Sequence, residues 1–134
     1  MKIDGTCHCG AIAYEAEVDP QKVEICHCTD CQALTGTTFR TSVPAQEDSF
    51  RILKGSPKTY VKTGDSGNRR EQGFCRTCGT PIYSTSAGEG PKAYNLRVGS
   101  MRQRDCLAPT AQYWVRSAQR WLPTLDSLPK VEKE

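Results

Sequence analysis

Apolar and polar residues alternate most clearly over AIAYEAEV, residues 11–18, where Ile12, Tyr14, Ala16 and Val18 fall on one face and Glu15 and Glu17 on the other. A period of two over that length predicts a β-strand with one face in a core. KVEIC, TFRTSV, FRIL, KTYVK, TPIYS, AYNLRVG and QYWVR are further short runs with β-branched or aromatic residues. VDP, GSP, GDSGN and SAGEGP separate such runs with residues that favour turns. No ten-residue stretch keeps a helical period, and only DCQAL, capped by Thr29, predicts a short helical turn. The chain therefore reads as mainly β, built from many short strands.

Composition adds bounds to that pattern. A length of 134 residues with 37% hydrophobic content suits one domain over 1–134 with a modest core, and no repeat or linker divides it. The 18 Lys and Arg residues against 15 Asp and Glu are scattered, so the net charge of +3 argues against a nucleic-acid partner. No segment approaches the ~20 apolar residues of a membrane span, and MKIDGTCHCG carries no apolar leader stretch. The expected location is the cytoplasm. In that reducing compartment the eight cysteines point to metal rather than to disulfides.

Seven of the eight cysteines are clustered, as Cys7-x-Cys9-Gly10, Cys26-x-Cys28-x-x-Cys31 and Cys75-x-x-Cys78-Gly79, with Cys106 alone. Thiols one or two residues apart suit metal knuckles, because a tight turn aims both sulfurs at one point while backbone N–H groups face the thiolates. The glycine after two of the clusters tolerates the positive φ at which a chain leaves such a turn. The simplest partition joins Cys7, Cys9, Cys75 and Cys78 in a closed tetrahedral zinc site, which is structural by its geometry. Cys26, Cys28 and Cys31 then hold a second zinc with an open fourth position. Two zinc ions per chain, one on four thiolates and one on three, would bring the net charge from +3 to about 0. The alternative is a second closed site, completed by Cys106, His8 or His27. A lone cysteine, however, is commonly a small buried hydrophobe. The two histidines sit between ligands of a CxC, where alternation turns them away from the metal toward supporting or solvent-facing positions.

Three anionic sulfurs make a zinc that is a poor activator of water, so hydrolysis is not the first expectation. Such a zinc can take a thiol as fourth ligand, lower its pKa and present it as a thiolate to a small electrophile. The nucleobase deaminases that use cysteine-bound zinc pair HxE with PCxxC. Here Phe74 precedes the CxxC and neither histidine begins an HxE, which removes that reading. Arg40, Arg69, Arg70 and Arg76 are candidates to meet a substrate carboxylate. Asp30, between two of the cysteines, reads as a turn or supporting group rather than a proton acceptor.

GTCHCG, CHCTDCQALTG and GFCRTCGTPIYS, followed through FRILKGSPKTY, RREQGFC, YNLRVGSM and WVRSAQRWLPTLDSLPKVE, resemble the glutathione-dependent formaldehyde-activating enzyme family, also called the centromere protein V family. The resemblance implies a β-tent fold, several small coiled antiparallel sheets organised around zinc. It also implies a structural zinc on Cys7, Cys9, Cys75 and Cys78 and a catalytic zinc on Cys26, Cys28 and Cys31. The implied activity is that of a carbon-sulfur lyase acting on thiol adducts, joining glutathione and formaldehyde to S-(hydroxymethyl)glutathione, with a small thiol and a small carbonyl electrophile as partners. The centromere member of the family implies a second possibility, a non-catalytic, zinc-stabilised module that binds a protein partner.

Overall fold

Burial follows the alternation seen at residues 11–18. In the computed structural model, which describes residues 1–134, β1 (Lys2–Thr6) and β2 (Ala13–Glu17) pair antiparallel. Ile12, Tyr14, Ala16 and Val18 are buried, while Glu17 is exposed. Strand β3 (Glu24–Cys26) leads into the helix α1 (Thr29–Thr35), and β4 (Arg40–Pro44), β5 (Arg51–Lys54), β6 (Lys58–Thr63), β7 (Arg69–Phe74), β8 (Pro81–Ser86), β9 (Asn95–Arg97) and β10 (Ala111–Tyr113) follow. They form a three-stranded sheet, β1-β2-β5, and a seven-stranded sheet, β10-β3-β4-β9-β8-β7-β6. The mainly β reading stands, and every pairing is antiparallel except that of β10 with β3.

The core lies where the two sheets meet. Ile3, Tyr14 and Ala16 from the small sheet join Val43, Ile82 and Leu96 from the large one, and Cys7 and Cys75 belong to the same buried cluster. Tyr14 sits opposite Gly5 in the β1–β2 register. A Cβ at Gly5 would fall 2.4 Å from the Tyr14 ring and 2.7 Å from the Ser100 carbonyl oxygen, so the ring occupies the space that glycine leaves. The Tyr14 hydroxyl meets Ser100 Oγ at 2.6 Å. Burial pushes the phenol up to about 12. Phe50, Tyr83 and Tyr94 extend this aromatic cluster with edge-on or tilted contacts.

Several elements differ from the sequence pattern, each for a local reason. Strands β1 and β7 lie in KIDGT and RREQGF, where no clean hydrophobic alternation marks them; they are held by pairing with β2, β6 and β8. QYWVR extends only to Tyr113, because Trp114 takes a left-handed conformation (φ 56°) and starts a 3-10 turn over Val115–Ser117. AYNLRVG likewise narrows to Asn95–Arg97 before a 3-10 turn. Thr29 is not the cap of α1. Its N-cap is Cys28, whose sulfur accepts the Cys31 N–H at 3.2 Å, and Gly36 ends the helix at φ 71°.

The large sheet curls. Lys62 on β6 reaches Asp30 on α1 at 2.9 Å, which brings the edge of the sheet back over the helix that follows β3. No helix is long and apolar enough to cross a membrane.

Candidate metal centres

The first cysteine group joins two hairpin connections distant in sequence. Cys7 and Cys9 follow β1, and Cys75 and Cys78 follow β7; their four sulfurs lie within 4.8 Å of one another. Cys9 Sγ is 3.6 Å from Cys7 Sγ and 3.7 Å from Cys75 Sγ, 66 residues away. Two backbone amides point at sulfur, Ile12 N–H to Cys7 Sγ at 3.2 Å and Thr77 N–H to Cys75 Sγ at 3.4 Å. Gly10 and Gly79, one after each knuckle, have φ of 80° and 78°, the left-handed turn that the Cys-Gly endings predict. Cys78 lies 3.2 Å from the Thr80 hydroxyl, and that contact, with backbone N–H groups, draws its thiol down to about 5. A preformed set of soft sulfur donors with amides aimed at them fits zinc by donor chemistry.

The second group is local. Cys26 ends β3, Cys28 caps α1 and Cys31 lies in the helix's first turn, and these three sulfurs also fall within 4.8 Å of one another. The chain makes them converge because the strand ends just before a helix whose Cys31 N–H, one of the free donors of its first turn, is bonded to the Cys28 sulfur. Burial, together with the neighbouring thiols, pushes Cys31 up to about 12 and raises Cys26 as well. Such thiols are protonated at neutral pH until a cation replaces the protons. Cys28 opens onto a cavity of about 320 Å³ that is also lined by Asp30, Lys62, Trp114 and Ser117.

Neither histidine joins a cysteine group. His8 is exposed. His27 is buried rather than solvent-facing, with Nε2 2.8 Å from Gln112 Oε1 and its ring edge-on to Phe39. Cys106 lies outside both groups, and it is exposed, contrary to the buried position expected of a lone cysteine; the 3-10 turn Arg104–Cys106 carries it on the surface. Asp30 is ion-paired with Lys62. Of the candidate arginines, Arg69 and Arg76 are exposed, Arg70 is half-buried and Arg40 is buried. Sequence reasoning missed Arg97, which is buried on β9 and donates to Ser42 Oγ at 2.8 Å and Gln72 Oε1 at 2.9 Å. The available signal was a single charge inside the otherwise strand-like NLRV. It also missed Lys62 and Trp114, which the curl of the sheet and the turn after β10 bring to Cys28.

Comparison with known proteins agrees with this arrangement. A crystal structure of a Rhodobacter sphaeroides protein superposes with a TM-score of 0.60 at 24% identity, covering 81% of this chain and 98% of that one, which shows a shared fold. An uncharacterized lyase of Schizosaccharomyces pombe is 29% identical over 93 residues, 69% of this chain. The match spans 64% of that relative's length. The family model described as glutathione-dependent formaldehyde-activating enzyme matches residues 2–117, a span that includes both cysteine groups. With that match over most of its length, the chain belongs to the glutathione-dependent formaldehyde-activating enzyme family.

Proposed function

We propose that the protein is a zinc-dependent carbon-sulfur lyase that makes and breaks the bond between a small thiol, such as glutathione, and a small carbonyl compound, such as formaldehyde. One observation carries the reading: three thiols converge beside a cavity, and Cys28 lines both the group and the cavity. Family membership and the lyase name of the yeast relative support the reaction class.

In this reading Cys7, Cys9, Cys75 and Cys78 hold a structural zinc, and Cys26, Cys28 and Cys31 hold a second. The second ion, when bound, supplies a fourth position at which a substrate thiol is kept as its thiolate at neutral pH. The chain's own residues do the rest. The Cys28 cap fixes one sulfur against the helix terminus. Lys62, oriented by Asp30, puts a cation at the cavity that favours anions there. Trp114, held in an unusual backbone conformation for a bulky residue, forms a wall of the same cavity. In the forward direction the substrate sulfur attacks the carbonyl carbon, one S–C bond forms, and the carbonyl π pair moves to oxygen, which takes up a proton. The reverse step expels the thiolate.

Glutathione and formaldehyde also combine without a catalyst, so the informative quantity is the acceleration of their exchange at equilibrium. Two-dimensional exchange NMR on the adduct and its components should show rates above the buffer blank for the zinc-loaded protein and blank rates for Cys28→Ser. Blank rates for the zinc-loaded wild type with glutathione and with several other small thiols would overturn the lyase reading in favour of a non-catalytic zinc module. Acceleration with another thiol alone would keep the mechanism and discard glutathione.

A further inference from the structure

One face of the large sheet is buried but polar. Residues paired across antiparallel strands share a face, and the register places Cys26 beside Arg40, Ser42 beside Arg97, Ser84 beside Gln72, and Arg70 beside Lys62. Arg40 and Arg97 are only 6% and 8% exposed. Neither takes part in an ion pair, and the Nε of each is buried without a hydrogen-bond partner. Arg97 is held by neutral groups, the Ser42 hydroxyl and the Gln72 amide oxygen. Arg70 reaches only Ser84 Oγ, at 3.4 Å. The acid on this face, Glu24, accepts a hydrogen bond from Asn95 at 2.9 Å, and Lys62 is paired with Asp30.

A buried guanidinium without an anion is costly, and sequences rarely retain two side by side without something to offset them. The cysteines of the second group are the anions within reach. Burial, and next the Arg40 charge, draw Arg97 down to about 9, which leaves it protonated at neutral pH, while Cys31 and Cys26, when ionised, act the other way. Three thiolates on a divalent metal carry a net −1, too little to balance three guanidiniums. A neutral fourth ligand leaves that charge at −1, whereas a thiolate, whose proton passes to solvent, takes it to −2. Charges that do not touch still attract across an interior that screens them less than water does.

We infer that Arg40, Arg97 and Arg70 are positioning residues that act through the metal ligands, stabilising the negative charge added when a substrate thiol enters the second site as its thiolate. They touch no part of the substrate, so the effect extends to thiols that carry no other charge. This inference rests on the proposed second metal and its open position. The test uses the full chain loaded with cobalt(II), whose absorption reports a ligand entering that position, and compares 2-mercaptoethanol, which binds as an anion, with imidazole, which binds as a neutral donor, at one pH. Arg97→Gln should weaken 2-mercaptoethanol about tenfold and leave imidazole within about twofold of the wild type, and Arg97→Lys should keep most of the thiol affinity. Arg70→Gln, at a half-buried position with one weak hydrogen bond, should show the same selective loss at about threefold, and it decides the matter if Arg97→Gln does not fold. Variants that lose both ligands alike, or that lose neither, would overturn the inference and leave the arginines a structural role. A wild type whose second group takes cobalt and thiol in those experiments keeps the proposed function; one that takes no cobalt ends the second-metal reading and this inference together.

Discussion

The two cysteine groups use the same ligand chemistry on opposite topologies. One gathers Cys7 and Cys9 with Cys75 and Cys78 across 66 residues, with two of its members inside the hydrophobic core. The other spans six positions, from the last residue of β3 to the first turn of α1, and borders a cavity. A long-range ligand set closes a large loop and so acts on the whole fold. A local set closes almost nothing, which leaves its binding free energy available for chemistry.

The sharpest way to break that comparison is to remove one ligand from each. Cys75→Ser should abolish cooperative unfolding or soluble expression, since a structural zinc contributes on the order of 10 kcal/mol of folding free energy. Cys28→Ser should melt within a few degrees of the wild type while losing one metal ion and the exchange activity. Equal loss of solubility in both would make the second group structural too. The next largest contrast is in lability. Elemental analysis during mild chelation should show one ion of two leaving first, and the Cys28→Ser protein should lack that early phase. A single ion that never exchanges, or four disulfides by mass spectrometry, would end the two-site account.

A smaller effect tests how tightly the packing around the first group is set. Gly5→Ala should cost about 1–3 kcal/mol or more by chemical denaturation, because its Cβ would overlap the Tyr14 ring and the Ser100 carbonyl, both of which would have to move. Second-group properties, read by thiol titration of the cobalt form, should not change. The smallest effect is in pH. Tyr14 has its phenol raised above the ordinary value of 10.0 to about 12, so the stability it contributes is fully present below pH 10 and is lost as pH rises from there through 12. Tyr14→Phe should therefore flatten the decline of the denaturation midpoint between pH 9 and 11, a difference of about 1 kcal/mol at the upper limit. Parallel declines in both proteins would mean that the ring ionises as freely folded as unfolded.

These contrasts also explain what the sequence made legible. Residues 11–18 announce a strand because one face is core and the other is solvent, and the cysteine spacings announce knuckles because two thiols on one tight turn need no distant partner to be recognised. The grouping of Cys7 and Cys9 with Cys75 and Cys78 follows from the ligand count, and the structure brings those four together. β7 stayed hidden because its inward side chains on one side, Arg70 and Gln72, are polar, so the rule that apolar residues mark the buried face fails there. Arg97 escaped for the same reason, as a charge on a buried face, whereas Lys62 escaped because the curl of a sheet that brings β6 to α1 is written in no local pattern. Cys106 was misplaced by a rule about residue type, where position in an exposed turn decides.

The parallel pairing of β10 with β3 sets an order for biogenesis. Synthesis proceeds from the N-terminus at about 5–20 residues per second. Cys26, Cys28 and Cys31 therefore leave the ribosome long before Cys75 and Cys78, and a nascent chain exposes three metal-binding thiols while the four-cysteine group is still half made. His27 gains its partner Gln112, 85 residues on, and the backbone hydrogen bond from its N–H to Tyr113 O, only when the chain is nearly complete. The second group is thus the first complete set able to meet a metal, and its neighbour His27 is the last to gain its partners, an interval in which the supply of zinc over softer competitors would decide which ion a metal-loaded chain carries.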